Sequence, residues 1–231
     1  MRRFLVTSIL LMAVCSAWAQ SASAPKTEWL EPFARVKIDA QANVTFKQVQ
    51  TDAESRIVFD TKGENVSEFT ASVNAKGVLV ISEKKVAKRR TTTDVVIYYH
   101  ALQGLEVAQA EVTVDGDIVS TMFDVKTSKK ALVAFSASML DIEAECKGSS
   151  RLSITGTAKY FNLKVSGSKV ECSKLKTTSS ELRCSGSSYV TLYVSERLET
   201  KLLAGSKLFY QGAPAIVRNR QRVLGGKIEN K

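Results

Sequence analysis

Four short stretches decide how this chain folds: Gly148-Ser149-Ser150, Gly167-Ser168-Lys169, Gly186-Ser187-Ser188 and Gly205-Ser206-Lys207. The glycines follow one another at intervals of 19 residues, and a short alternation of apolar and polar residues comes after each stretch. Two positions before each glycine stands an apolar residue, in turn Cys146, Val165, Cys184 and Leu203. Three equal intervals that carry the same Gly-Ser dipeptide indicate a structural repeat in the second half of the chain.

A period of 19 residues predicts one coil of a β-solenoid. Extended backbone rises about 3.3 Å per residue, so one coil has a perimeter of about 60 Å, enough for three short strands and their turns. Coils that stack about 4.8 Å apart bring equivalent residues into columns. The glycine column then marks a turn with positive φ. The neighbouring serines are expected to form a hydroxyl ladder, and the apolar column that begins with Cys146 to point into the core.

Alternation with a period of two residues, as in Val78-x-Val80 and Val190-x-Leu192, runs through most of the chain and is typical of strands with one buried face. A short turn near residues 27–33 is the best helical candidate, and Pro32 interrupts it. An antiparallel sandwich or barrel needs hairpin dipeptides such as Asn-Gly or Asp-Gly, and the chain has one, Asp115-Gly116. The sequence therefore favours an all-β parallel solenoid over a sandwich or barrel.

The N-terminus has the pattern of a secretory signal peptide. Met1-Arg2-Arg3 is a charged start, residues 4–14 are an apolar run too short to span a bilayer, and Ala17-Trp18-Ala19 is an A-x-A cleavage site. We predict cleavage after Ala19 and an extracytoplasmic protein, located in the periplasm, at the outer-membrane surface or in the medium. The alternatives are an N-terminal anchor and a lipoprotein acylated at Cys15, which the preceding Val14 disfavours.

The mature chain is predicted to form one continuous domain, because no Pro-, Gly- and Ser-rich linker separates its halves. The predicted boundaries are a signal peptide at 1–19, an N-terminal cap at 20–34, one β-solenoid at 35–217 and a basic C-terminal tail or cap at 218–231. Within the solenoid we expect irregular coils up to about residue 107 and regular repeats over 108–212. Both ends need caps, because open coils expose unpaired strand edges.

Positive charge is concentrated in the second half. The chain has 33 Lys and Arg against 23 Asp and Glu, and residues 121–231 hold 19 basic and 9 acidic residues. Two basic clusters are candidate polyanion-binding sites: Lys84, Lys85, Lys88, Arg89 and Arg90 in a loop, and Arg218, Arg220 and Arg222 near the C-terminus. The alternative for the loop is a solvated tip. An exported protein seldom meets nucleic acid, so lipopolysaccharide or an acidic glycan is the predicted partner.

Three cysteines remain after signal cleavage: Cys146, Cys172 and Cys184. Cys146 and Cys184 would lie two coils apart, at about 9–10 Å. A disulfide tolerates Cα atoms no more than about 7 Å apart, so this pair is not expected to be bridged. We expect three buried thiols, with one disulfide and a free thiol as the alternative.

Few residues offer catalytic chemistry. The single histidine, His100, excludes a H-E-x-x-H zinc motif, and no G-x-S-x-G, P-loop or G-x-G-x-x-G motif occurs, so no metal or cofactor is predicted. Asp115 and Asp117 would share a face, and Asp94 could lie on a neighbouring coil, where paired carboxylates can act as acid and base on a polysaccharide. The favoured interpretation is that Asp115-Gly116-Asp117 is a turn with solvated acids.

The chain resembles a known family in several segments: Phe33-Ala34-Arg35-Val36-Lys37-Ile38, Asn43-Val44-Thr45-Phe46, Val78-Leu79-Val80-Ile81, Val95-Val96-Ile97-Tyr98-Tyr99 and Tyr210-Gln211-Gly212-Ala213-Pro214. Together with the Ser-Gly-Ser units at 166–168 and 185–187, these are similar to the "putative auto-transporter adhesin, head GIN domain" family of Gram-negative bacteria. The resemblance covers most of the mature chain. It implies a right-handed parallel β-helix and a role in adhesion without established catalysis.

The predicted function is that of a non-enzymatic exported adhesin, or a surface binding or scaffold protein, with a polar solenoid face that is basic towards the C-terminus. Its predicted partners are glycans, lipopolysaccharide or surface proteins, and a homo-oligomer is expected where solenoid ends or flat faces associate. No transmembrane segment is predicted. The alternative is a polysaccharide-active β-helix enzyme with clustered carboxylates.

Overall fold

The structure, a computed structural model, describes residues 24–63, 68–84, 91–223 and 225–230, and its strands form one sixteen-stranded sheet. The N-terminal region contains β1 (Lys26–Trp29), β2 (Arg35–Asp39), β3 (Ala42–Gln48), β4 (Arg56–Asp60), β5 (Phe69–Val73), β6 (Val78–Glu83), β7 (Thr93–Tyr99) and β8 (Gly104–Ala108). The C-terminal region contains β9 (Glu111–Ser128), β10 (Leu132–Lys147), β11 (Arg151–Ser166), β12 (Lys169–Ser185), β13 (Tyr189–Leu203), β14 (Lys207–Gln211), β15 (Ile216–Val223) and β16 (Lys227–Asn230). Stacked parallel coils confirm the predicted all-β solenoid.

The C-terminal region is a regular stack in which β9 to β13 pair in parallel in sequence order. Cys146 pairs with Val165, and Val165 pairs with Cys184, which is the expected 19-residue register. The next step is shorter by one residue, because Cys184 pairs with Leu202. Leu202 is fully buried and Leu203 is partly exposed, so Leu203 was wrongly assigned to the inward column. Register shifts between β12 and β13 take up the missing residue.

Two glycines allow neighbouring coils to come close at a bend. Gly156 has φ +102°, and a Cβ at this position would lie 2.1 Å from the carbonyl oxygen of Ala137 on the preceding coil. Gly212 repeats the arrangement with φ +100° and a distance of 2.1 Å to the carbonyl oxygen of Val194. Any other residue would displace the backbone of the neighbouring coil here, so these two glycines fix the path of their coils.

The Gly-Ser stretches form one corner of the solenoid. The glycines Gly148, Gly167, Gly186 and Gly205 have φ values of +68°, +58°, +53° and +73°. One serine of each stretch is buried: Ser150, Ser168, Ser188 and Ser206. Hydroxyls connect Thr127 to Ser150 at 2.7 Å and Ser150 to Ser168 at 3.3 Å. Farther along, the Ser188 and Ser206 hydroxyls donate to backbone carbonyls instead, so the expected ladder covers only the first steps.

Inward-facing residues of every coil form one hydrophobic core. Its largest fully buried side chains include Phe46, Tyr99, Phe123 and Phe161. The Phe46 and Tyr99 rings meet edge to face at 5.9 Å, and Phe123 contacts Phe135 at 5.4 Å. Burial of each such side chain stabilises the fold by about 1.5–3 kcal/mol.

The three cysteines Cys146, Cys172 and Cys184 are free and buried in this core, as expected. Burial raises the pKa of the Cys146 thiol to about 11 and that of the Cys184 thiol to about 12. Burial also raises the pKa of Cys172. Since the thiolate is the reactive form, these groups are inert at neutral pH in the folded protein.

The N-terminal coils stack out of sequence order. Strand β2 pairs in parallel with both β6 and β8, and β3 pairs in parallel with both β7 and β9. The coil made of β2 and β3 therefore lies between the coil of β6 and β7 and the coil that begins with β8. The irregular sequence spacing before residue 107 follows from this order.

Antiparallel strands end the stack at the N-terminal side. Strand β4 pairs antiparallel with β7 and with β1, and β5 pairs antiparallel with β6. The helical turn expected near residues 27–33 is wrong, because β1 occupies Lys26–Trp29 and supplies the partner that the edge of β4 needs. The guanidinium of Arg56 lies 5.6 Å from the Trp29 ring across this pair.

Parallel pairing continues at the C-terminal side, where β14 and β15 both pair with β13 and β16 pairs with β14. The segment for which a basic tail or cap was predicted thus contains most of β15 and all of β16. On this last coil the exposed Asn219 pairs with the buried Thr200, whose hydroxyl donates to Asn219 Oδ1 at 3.4 Å.

Candidate functional site

Of the predicted basic residues, Lys84 lies at the N-terminal end of the solenoid and Arg218 and Arg220 lie at the C-terminal end. Lys84 is exposed at the end of β6, next to the antiparallel strands. Lys85, Lys88, Arg89 and Arg90 lie outside the described residues, as does the predicted signal peptide. Arg218 and Arg220 are exposed on β15, and the side chain of Arg222 lies outside the described part of the structure. The described members of the two clusters, Lys84 on one side and Arg218 and Arg220 on the other, are therefore far apart.

Arg220 belongs to a compact charge cluster with Glu199 and Arg197. The Glu199 side chain is only 5% exposed, although it carries a carboxylate. Arg197 donates from Nε to Glu199 Oε1 at 2.9 Å, and Arg220 reaches the second carboxylate oxygen from β15. The hydrogen bond from Arg197 is the main reason why the pKa of Glu199 is lowered, in spite of some opposing desolvation. The cluster connects β15 to β13, so the ion pair of Arg220 has a structural role.

The predicted acidic residues do not converge. Asp94 shares a column with Asn43 and Glu111, whereas Asp115 lies four positions farther along the same face, beside Lys47. Asp94 accepts hydrogen bonds from Lys62 at 2.8 Å and from Asn43 at 3.0 Å, and the bond from Lys62 lowers its pKa. A general acid needs a raised pKa, so Asp94 is unsuited to that role.

Asp115 and Asp117 are exposed on either side of Gly116, which has φ +87°. His100 is partly buried, and its Nδ1 lies 3.3 Å from the carbonyl oxygen of Val49. The two acids are solvated, as expected, but they lie inside β9 where its register with β10 shifts, so the expected turn is a local irregularity of a strand. The contact of His100 fits a structural histidine. In the part of the chain that the structure describes, no group of three or more His, Cys, Asp or Glu side chains is arranged to hold a metal ion.

The last segment of each coil forms a sheet surface that we call face B. Its first outward column is rich in acids: Asp124, Glu143, Asn162, Glu181 and Glu199. The next column is mostly basic: Lys126, Glu145, Lys164, Arg183 and Lys201. A groove of about 420 Å³ runs over both columns.

The charges of face B largely neutralise one another. Arg35 binds Asp124 at 2.6 Å, Lys147 lies 3.7 Å from Glu145, and Arg183 lies 3.3 Å from Glu181. Gly104 makes the first of these pairs possible, because the Arg35 side chain crosses it and a Cβ there would lie 2.8 Å from Arg35 Nη1. Acids and bases that pair within a flat sheet leave little net charge for an ionic partner.

The first segment of each coil forms a second sheet surface, which we call face A. Its outward column in the C-terminal region consists of Arg151, Lys169, Tyr189, Lys207 and Lys227. The column beside it contains Ser153, Glu171, Thr191, Phe209 and Glu229. Face A therefore combines a row of cations with two neighbouring aromatic rings.

Contacts within face A distinguish its cations. Lys169 Nζ lies 2.6 Å from Glu171 Oε1 and 5.6 Å from the Tyr189 ring centroid. Lys227 pairs with Glu229. Among the described residues, neither Arg151 nor Lys207 has an ion-pair partner, and both side chains are exposed.

Sequence reasoning missed face A as a binding surface. Lys169 and Lys207 stand in the Gly-Ser-Lys stretches, and Arg151 and Tyr189 directly follow the other two stretches. Aligning the four repeats at the residue after the buried serine would have placed all four side chains in one column.

These features define a β-solenoid that presents columns of charged, polar and aromatic side chains on flat faces, without an assembled catalytic group among the described residues. The chain belongs to the family described as "putative auto-transporter adhesin, head GIN domain", which it matches over residues 32–214. The resemblance found in the sequence is thereby confirmed. No curated protein sequence matches the chain.

Solved structures share the fold at low sequence identity. A "putative adhesin" from Bacteroides fragilis is 18% identical with a TM-score of 0.81, and the match covers 90% of this chain and 96% of the other. A "putative adhesin" from Parabacteroides distasonis is 17% identical with a TM-score of 0.67, covering 90% and 96%. A protein named "putative lipid binding protein" from the same species is 13% identical with a TM-score of 0.68, covering 90% and 97%. At these identities the likeness extends to the fold alone.

Family membership indicates a surface or extracytoplasmic protein. Among the described residues, no helix has the length and apolar character that crossing a bilayer requires.

Proposed function

We propose that this protein is an exported, non-enzymatic, adhesin-like binding protein whose basic C-terminal region holds an anionic surface polysaccharide. The observation that carries the proposal is the column of Arg151, Lys169, Tyr189, Lys207 and Lys227 on face A. Parallel strands repeat at about 4.8 Å, so this column offers a row of cations along the solenoid axis. A polymer with an acidic group on each unit presents the matching row of charges.

The distribution of charge supports the same partner. Residues 121–231 hold 19 basic and 9 acidic residues, whereas the acids and bases of face B bind one another. Face A contributes part of this excess, because its columns hold four basic residues against the two acids Glu171 and Glu229. A polyanion outside the cytoplasm, an acidic glycan or lipopolysaccharide, is the partner that such a surface attracts. Lys84, at the other end of the solenoid, would form a second contact.

The proposal is tested by a glycan array that carries acidic and neutral polysaccharides, with the protein exported under its own signal sequence. We expect binding to acidic chains that weakens as NaCl rises from about 0.05 M to about 0.5 M, because salt screens exposed charges. Incubation with the same chains should release no new reducing ends. Equal binding to neutral chains, or cleavage of the bound chain, would contradict the proposal.

Export through the N-terminal signal is part of the proposal. N-terminal sequencing of the exported protein should begin at Gln20, which follows the predicted cleavage site. Light scattering on the same sample gives the mass of the assembly, and a mass twice or three times that of the chain would support the expected homo-oligomer. A protein that stays in the cytoplasm with Met1 intact would argue against an adhesin-like role.

A further inference from the structure

Face A contains a hollow of about 250 Å³ beside the corner that the Gly-Ser stretches form. Its lining includes Ser149, Arg151, Lys169, Ser187 and Tyr189. Ser149 and Ser187 are exposed at the corner, so their hydroxyl groups lie at the solvent surface. The hollow thus brings together a guanidinium, an ammonium, an aromatic ring and two hydroxyls.

A residue in the left-handed conformation shapes this corner of the solenoid. Ser149 has φ +62°, a left-handed conformation that residues other than glycine seldom adopt. Its N–H donates to the carbonyl oxygen of Gly167 at 3.1 Å, which holds the strained corner in place. Lys130 and Ala204 adopt the same conformation at this corner of other coils, so it belongs to the turn of the solenoid.

The aromatic ring of the hollow is fixed by its neighbours. Tyr189 meets Phe209 on the next coil with ring centroids 5.2 Å apart, and Lys169 Nζ lies 5.6 Å from the Tyr189 centroid. Glu171 holds the Lys169 ammonium at 2.6 Å and neutralises much of its charge. Arg151 is then the cation of the hollow whose charge is not neutralised, since no described residue forms an ion pair with it.

We propose that this hollow binds one unit of a carboxylated sugar chain, such as a uronic-acid polysaccharide. The inference rests on the proposed function and names the ligand class of that same basic surface. The planar fork of the Arg151 guanidinium matches a carboxylate in a bidentate geometry. The Tyr189 ring offers its apolar face to the C–H side of the sugar ring, while the Ser149 and Ser187 hydroxyls bond to sugar hydroxyls.

The neighbouring coil extends the site to a second sugar unit. Phe209 continues the aromatic surface of Tyr189, and Lys207 adds a second unpaired cation about one coil spacing from Tyr189. A chain that runs along the solenoid axis would therefore meet Arg151, Tyr189 and Lys207 in turn. Arg151 and Lys207 lie three coils apart, about 14 Å, so these two cations match carboxylates on separate units of one chain, a distance that a single phosphate does not span.

The test is isothermal titration calorimetry, which measures the dissociation constant of the exported protein for oligogalacturonate. Arg151→Gln should weaken binding by about tenfold, because it removes a charge-assisted bidentate contact. The matched control is Arg183→Gln on face B, which removes the same charge from an exposed arginine outside the hollow and should change affinity less than twofold. Tyr189→Ala should weaken binding, whereas Tyr189→Phe keeps the ring and should retain it. Circular dichroism and urea unfolding verify that each variant is folded.

The outcomes separate this inference from the proposed function. If the wild type binds oligogalacturonate and the two arginine variants lose affinity equally, net charge governs binding and the hollow is not the site, although the proposed function stands. If lipopolysaccharide binds and oligogalacturonate does not, the carboxylated ligand is wrong. If no acidic glycan binds the wild type, both fail.

Discussion

The two halves of the solenoid bury similar side chains but assemble in different ways. In the C-terminal region each coil pairs with the coil that follows it, as Cys146 does with Val165. In the N-terminal region β2 pairs with β8 through Arg35 and Gly104, which are far apart in sequence. Contacts of short sequence separation form with a smaller loss of chain entropy than contacts of long separation. One fold can thus be built from a half that is specified by local pairing and a half that depends on distant pairing.

The largest expected effect comes from removing a core ring in the regular half. Phe161→Ala should lower the free energy of unfolding by about 3–5 kcal/mol, because the ring is fully buried and leaves a cavity. The matched variant in the irregular half is Phe46→Ala, whose ring is equally buried. The readout is urea unfolding combined with the rate at which a thiol reagent modifies Cys172.

The rate at which Cys172 is modified reports on unfolding of the regular half. Cys172 lies on β12, next to the coil of Phe161 and several coils from Phe46. Because each coil of a repeat protein is stabilised mainly by its neighbours, Phe161→Ala should accelerate modification more than Phe46→Ala does. Equal acceleration would mean that both halves unfold as one cooperative unit.

The next effect compares a glycine that packs against a neighbouring backbone with a glycine whose surroundings are open. Gly156→Ala should cost about 3 kcal/mol, since its Cβ would meet the Ala137 carbonyl oxygen and its φ is +102°. Chemical denaturation measures the loss. Gly77→Ala is the control, with φ +67° and no atom within 4 Å, and should cost only about 1–2 kcal/mol. A loss of similar size at both positions would show that φ alone matters.

Gly104→Ala is expected to have a smaller effect, at most about 1 kcal/mol. The obstacle there is the Arg35 side chain, which can move away, although it would then lose Asp124. Asp124→Asn removes the same ion pair and serves as the reference in a double-mutant cycle. The two changes should be less than additive, and full additivity would contradict a role of Gly104 in that ion pair.

The smallest effect concerns the pH dependence of stability in the two regions. Both Glu199 and Asp94 have lowered pKa values in the folded protein, through Arg197 and Lys62 respectively. A carboxyl whose folded pKa is depressed contributes stability above its unfolded pKa of about 4, and this is lost as pH falls through the folded value. In the variants Glu199→Gln and Asp94→Asn, the urea concentration at the unfolding midpoint should therefore fall less steeply as the pH drops below about 4.

Burial decides which of the two carboxylates, Glu199 or Asp94, contributes more to the pH dependence of stability. The Glu199 side chain is 5% exposed and the Asp94 side chain 50% exposed, so solvent screens the second pair more strongly. We therefore expect the larger flattening for Glu199→Gln. The opposite order would show that β15 is not held to β13 by this cluster.

The sequence predicts the regular half well because its repeat places partners at a fixed distance along the chain. Cys146, Val165 and Cys184 could be assigned to one buried column from spacing alone. The step to Leu202 could not, since a register shift between β12 and β13 absorbs one residue and no motif marks it. The N-terminal order was not predictable either, because pairings such as β2 with β8 leave no local pattern.

The candidate site shows the same limit. Lys84 and Arg218 are conspicuous in the sequence because they lie in basic clusters, yet they lie at opposite ends of the solenoid. Arg151 and Tyr189 look unremarkable until the coils place them in one column with Lys207. Charge runs are visible locally, whereas a surface made of one residue per coil appears only when the repeats are aligned.

The out-of-order position of the β2–β3 coil has a consequence for biogenesis. This coil emerges from the ribosome early, but β8, which covers one of its edges, follows about 60 residues later. At a synthesis rate of about 5–20 residues per second, that edge stays unpaired for about 3–12 s. The coil therefore cannot complete the pairing of this edge until β8 and the start of β9 have been made, which is nearly half of the chain.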